Sequence, residues 1–120
     1  MNAEVSGKIM DAVTITATTT SPPVKVYNSH GRLSFHVYTP SASTLSGSIF
    51  VQANNDPESL TWVSVYFFDL ITGAWVANQT LSTGENSKII ALDMKPSYVR
   101  LYFGYEAGSG ALTVVASQGD

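Results

Sequence analysis

At 120 residues the chain fits one domain, long enough to bury roughly 65% of the surface that its unfolded form exposes. Its net charge is -3 and its pI about 5.1, and the six Lys and Arg residues are scattered, so no basic stripe offers phosphates a docking path and direct nucleic-acid binding is not expected. Cysteine is absent, which removes disulfides and thiolate nucleophiles, and no run approaches the ~18 apolar residues of a membrane-spanning helix.

Charged residues make up only 12%, about half the usual share, so solubility rests on Ser and Thr hydroxyls. Uncharged polar groups cost less to desolvate than ammonium or carboxylate groups, and a surface of this kind suits packing against another protein. The first eight residues, Met1 to Lys8, hold no apolar core of a secretion signal, and the mature chain is expected to start near Met1.

In chain order, Met1 to Asp11 mixes small, polar and isolated apolar residues without a clear period and reads as a flexible arm, with residues 12–120 as the folded domain. Val5, Ile9 and Met10 are the arm's candidates for adding to a neighbour's surface. Ala12 to Thr18 alternates Val13, Ile15 and Ala17 with Thr, a β pattern that Pro22-Pro23 closes. Val24 to Tyr27 is a short β-prone piece ended by the turn-forming Asn28-Ser29-His30-Gly31. From Arg32 to Tyr38, Leu33, Phe35 and Val37 face one way and Ser34, His36 and Tyr38 the other.

Gly47 to Ala53 is a further strand with Ile49 and Val51 on one face, and Asn54-Asn55-Asp56-Pro57 turns the chain. Trp62 to Asp69 is apolar on both faces, which predicts a strand in mid-sheet. Ala74 to Ala77, containing Trp75, is its hairpin partner across Leu70 to Gly73, Ser82 to Asn86 is a turn, and Lys88 to Leu92 is the next strand. Tyr98 to Ala116 reads as a hairpin: Val99, Leu101, Phe103 and Tyr105 share a face, Leu112 and Val114 follow, and Gly108-Ser109-Gly110 permits the reversal. About eight short antiparallel strands with no helical period predict an all-β fold, a single β-sandwich or jelly roll, with a barrel as the main alternative.

Few residues suggest chemistry. His30 and His36 match no metal-ligand spacing, and His36 lies opposite the apolar face of its strand. Asp56, Glu58 and Asp69 match no calcium loop, and Asn54 to Asp56 is accounted for as a turn. Ser46-Gly47-Ser48 and Gly108-Ser109-Gly110 lack the spacing of a nucleophile elbow. No catalytic, metal or cofactor site is expected. Arg100 between Tyr98 and Tyr102 is the one suggestive trio, since guanidinium and aromatic rings recur at protein interfaces and at sugar sites, and also as plain ladders on sheet surfaces.

Ile49-Phe50-Val51-Gln52-Ala53-Asn54-Asn55-Asp56, then Trp62-Val63, Tyr98-Val99-Arg100-Leu101 and Gly108-Ser109-Gly110-Ala111-Leu112, resembles small β-sandwich structural proteins of tailed bacteriophage virions, over about Leu33 to Ala116. A weaker similarity is to discoidin-type, galactose-binding-like jelly rolls, from which the chain departs at Pro57 to Thr61, where a Gly-containing turn is usual. The resemblance implies a non-enzymatic virion component, assembled in the host cytoplasm, that decorates or staples the capsid or sits in the head–tail region. Its partners would be other virion proteins and further copies of itself, with no nucleic acid or membrane contact. A carbohydrate-binding module is the alternative. Val5, Ile9, Met10, Tyr98, Arg100 and Tyr102 are the interface candidates.

Overall fold

Alternating side chains become strands when the face they define finds a second sheet to cover it. The computed structural model describes residues 5–26, 32–40, 43–56, 58, 61–70, 72–81, 87–92 and 96–118, and among them the fold is all-β. The strands are β1 (Val5–Ile15), β2 (Thr19–Thr20), β3 (Val24–Lys25), β4 (Leu33–Tyr38), β5 (Ser46–Asn54), β6 (Val63–Val65), β7 (Phe67–Asp69), β8 (Ala74–Val76), β9 (Gln79–Leu81), β10 (Ser87–Ala91), β11 (Tyr98–Ala107) and β12 (Gly110–Gln118).

Two antiparallel sheets result. The first has the order β1-β12-β4-β10-β7-β8; the second has the order β2-β11-β5-β6, with β3 also on β11 and β9 on β5. β1 pairs β12, β2 pairs β11, β4 pairs β10 and β5 pairs β6, so the outer strands of the sequence enclose the inner ones. Such a nested ribbon, rolled so that alternate pairs fall in opposite sheets, is the jelly-roll arrangement. The expected inward positions hold: Leu33, Phe35, Val37, Ile49, Val51, Val99, Leu101 and Phe103 are all buried between the sheets, joined by Leu112, Val114 and Ala116.

The arm expected at residues 1–11 is corrected from Val5 onward. Residues 5–11 belong to β1 and pair with β12 from Val5 opposite Gln118 to Met10 opposite Val114, and the Met10 side chain is in the core. The period is hidden because the register shifts twice, between Lys8 and Met10 and between Met10 and Val13. At the second bulge Ala12 takes a left-handed φ of 51°, and its N–H donates to Thr113 Oγ1 at 3.0 Å instead of to a ladder carbonyl. The buried residues Met10 and Ile15 therefore sit an odd number apart, while Val13, expected to share a face with Ile15, is exposed.

Two further expectations change. Tyr98 to Ala116 is not a hairpin, because β11 pairs with β2, β3 and β5 whereas β12 pairs with β1 and β4 in the opposite sheet. The Gly108-Ser109 link arches between sheets, with the Tyr105 hydroxyl donating to the Gly108 carbonyl at 2.7 Å and the Ser109 N–H donating to Thr44 Oγ1 at 3.2 Å. Trp62 to Asp69 is likewise not one mid-sheet strand: the chain changes sheet at the exposed Tyr66, leaving β6 on the edge of the second sheet and β7 inside the first. Both halves turn the same positions inward, Val63 and Val65 and then Phe67 and Asp69, and the other face is apolar because Trp62 covers Arg100 and Phe68 meets Trp75 on the outer surfaces. The hairpin of β7 and β8 is as expected, with Gly73 at a φ of 72° and its N–H donating to the Asp69 carbonyl at 2.8 Å.

Gly108 also has a positive φ, 76°, and a Cβ there would overlap the Thr44 carbonyl. Gly108→Ala is expected to cost about 2–4 kcal/mol, combining backbone strain with a contact that the arch cannot relieve locally. Urea denaturation measures it, and a loss below about 0.5 kcal/mol would mean that the arch relaxes freely.

Candidate functional site

Strands β5 and β11 lie side by side in the second sheet, so their inward residues fill the core and their outward residues form one solvent-side surface. The register sets Tyr98 opposite Asn54, Arg100 opposite Gln52 and Tyr102 opposite Phe50, while Ser64 of β6 lies on the far side of Gln52. Arg100 Nε donates to Gln52 Oε1 at 2.8 Å, and the guanidinium carbon stands 4.4 Å from the centre of the Trp62 ring. Phe50 and Tyr102 meet edge to face at 5.8 Å. Tyr98, Arg100 and Tyr102 thus share an outward face as the alternation predicts, each of them half-buried.

What the alternation missed is the identity of Arg100's partners. Trp62 and Gln52 orient it, and both reach it only because β6 and β11 flank β5. Among the described residues no carboxylate pairs with Arg100, and no buried polar side-chain atom lacks a partner, so its terminal N–H groups face solvent. A cation held by one ring face and one amide, with its fork of donors outward, is suited to receive a carboxylate in two parallel hydrogen bonds.

The other candidates fall elsewhere. Ile9 is half-buried against the core and Met10 is buried within it, so neither is a free anchor, while for Val5 the backbone pairing alone is described. His36 bonds Ser87 Oγ at 2.8 Å on the outer face of the first sheet, and His30 lies outside the described residues. Asp56 and Glu58 belong to consecutive turns in which Asn54 Oδ1 accepts the Asp56 N–H at 2.7 Å and Asp56 Oδ1 accepts the Glu58 N–H at 3.0 Å. Asp69 is buried in the other sheet, where it accepts from the Thr72 hydroxyl at 2.8 Å. The described residues hold no cluster of three or more His, Asp or Glu placed around a common point.

An open cleft of about 280 Å³ lies at the end of β5 and β6, lined by Ala53, Asn54, Asn55, Thr61, Val63, Val65 and Pro96. Asn55 Oδ1, on its rim, accepts the Ser97 N–H at 2.8 Å and ties the Pro96 segment to the end of β5. Among the described residues the cleft lining holds no acid, base or nucleophile pair, and Trp62 lies beside it in sequence, between Thr61 and Val63. No helix among the described residues is long and apolar enough to cross a membrane.

No family model matches the chain, and no curated protein matches it in sequence. Among solved structures it is similar to the crystal structure of the SPBc2 prophage-derived protein YomS, with 13% identity and a TM-score of 0.69. The likeness covers 98% of this chain and 94% of that one, and at this identity it is a likeness of fold: a single small β-sandwich matched from end to end.

Proposed function

We propose that this chain is a non-enzymatic structural protein of a tailed phage particle, working through protein–protein contacts at the capsid surface or the head–tail region. The observation that carries the phage context is the two-way, near-complete match in fold with a prophage-derived protein of similar length. The contact chemistry is supported by the outer face of the second sheet, where Trp62, Tyr98, Arg100 and Tyr102 gather. Trp, Tyr and Arg are the residues enriched where a few side chains dominate binding. The partner that fits is a virion protein presenting an Asp or Glu side chain to the outward donors of Arg100.

Mass spectrometry of particles purified from a lysate of the source phage tests the context, and a chain absent from washed particles would sink it. Arg100→Ala tests the face. It is expected to weaken binding to the particle by about thirtyfold, the cost of removing one dominant contact residue, while the melting temperature stays within a few degrees. Unchanged binding by a folded variant would place the contact elsewhere.

The second reading is a carbohydrate-binding module, favoured by aromatic rings and a guanidinium on one solvent-side face. Binding on a glycan array, lost in Tyr98→Ala and Tyr102→Ala, would select it over the structural role.

A further inference from the structure

The outer face of the first sheet has a different character from that of the second. One row across the strands runs Val115, His36, Ile89, the last continued by Leu70, whose N–H donates to the Ile89 carbonyl at 3.2 Å. The next row runs from Ser34 through Ala91 to Phe68 and Trp75, whose rings meet edge to face at 5.2 Å. Ile89 is 39% exposed, and Leu70 and Trp75 are each 51% exposed, so three large apolar side chains stand bare on one face, the kind of patch that often serves as a contact.

Along these rows, from β12 to β8, no outward position carries Lys, Arg, Asp or Glu. The first row does continue on the β1 margin to Lys8, opposite Val115, whose ammonium stands 3.5 Å from Asp11 and lies three strands from Ile89. This pattern selects an occupant. In a two-fold contact the same patch meets itself, so any formal charge near the axis faces its own like charge. A face whose centre, from β12 to β8, carries no charge avoids that penalty around Ile89, Leu70 and Trp75, whereas the second sheet's outer face, with Arg100 on it, does not.

We propose that two copies of this chain associate through the outer faces of their first sheets, with Ile89, Leu70 and Trp75 at the contact. This goes beyond the reading above, because it concerns the isolated protein and the opposite sheet, and it stands or fails independently of any particle. Strands lie about 4.8 Å apart, so the patch is about 20 Å wide and on the order of 400 Å² per copy, half the standard interface. The dimer is therefore a weak one that self-association over a concentration range reveals.

Sedimentation velocity of the 120-residue protein between about 5 and 500 µM is the experiment, with thermal melts as folding controls. Wild type is expected to shift from monomer to dimer with rising concentration. Ile89→Lys, which places like charges across the axis, is expected to raise the dissociation constant about a hundredfold, and Trp75→Lys to act in the same direction from an exposed site should Ile89→Lys fold poorly. Thr80→Lys, exposed on β9 of the other sheet, is expected to leave association unchanged. A wild type that stays monomeric throughout, or a dimer that survives both first-sheet substitutions, overturns the proposal.

Discussion

Deleting residues 1–11 is expected to unfold the protein or lower its melting temperature by more than about 20 °C. The deletion removes the first half of β1, opens the edge of β12 from Val114 to Gln118 and takes Met10 out of the core. Several ladder hydrogen bonds at about 1 kcal/mol each and a buried Met side chain at about 2–3 kcal/mol sum to a loss comparable with a small domain's whole stability of ~5–15 kcal/mol. For a domain of this size each kcal/mol moves the midpoint by about 4 °C or more. Differential scanning calorimetry of the truncated chain measures it. A midpoint within a few degrees of wild type would return residues 5–11 to the status of a detachable arm.

The second large effect lies where β5 and β11 run side by side. The Phe103 ring rests on Gly47: a Cβ at residue 47 would come 2.6 Å from Phe103 Cζ and 2.5 Å from the Gly104 carbonyl. Phe103 is buried in the core cluster, so Phe103→Ala is expected to cost about 3–5 kcal/mol, the range for emptying a large aromatic site. Gly47→Ala is expected to cost about 2–4 kcal/mol by driving the ring from its place and pressing on the backbone, in the manner of an overpacked core. The two share one volume and will not add. In the Phe103→Ala background the new methyl meets no ring, so the double variant is expected to be more stable than the sum of the single losses by at least about 1 kcal/mol. Additive losses from guanidinium chloride curves would show that the Gly104 carbonyl alone makes residue 47 a glycine.

The face on which Arg100 stands illustrates how function and fold share one sheet. Val99, Leu101 and Phe103 commit one side of β11 to the core, and that commitment aims Tyr98, Arg100 and Tyr102 outward without any further information. The proposed contact chemistry therefore depends on the same alternation that closes the sandwich, and a one-residue slip of β11 would bury the guanidinium and expose Phe103.

Local pattern was enough to identify the strands whose period is unbroken. Leu33, Phe35 and Val37 on β4, Ile49 and Val51 on β5, and Val99, Leu101 and Phe103 on β11 are inward as their spacing requires, because a regular strand returns every second side chain to the same face. The outward position of Tyr98, Arg100 and Tyr102 follows from the same rule. Where the strand is irregular the rule fails: two register shifts in β1 put Met10 and Ile15 inward out of phase, and no residue type in that segment announces a bulge.

Pairing between distant segments was decided only by the tertiary structure. Gly108-Ser109 marks a change of direction, but whether the next strand returns beside β11 or crosses to the other sheet depends on β1 and β4, which offer β12 its hydrogen-bonding partners. The apolar run from Trp62 to Asp69 could not disclose that it serves two sheets, since Val65, Phe67 and Asp69 turn inward in one unbroken alternation across the change of sheet. The Trp62–Arg100–Gln52 contact has the same origin: three residues from three separated segments meet because β5 lies between β6 and β11, an order set by the nesting of the whole ribbon and not by any of the segments alone.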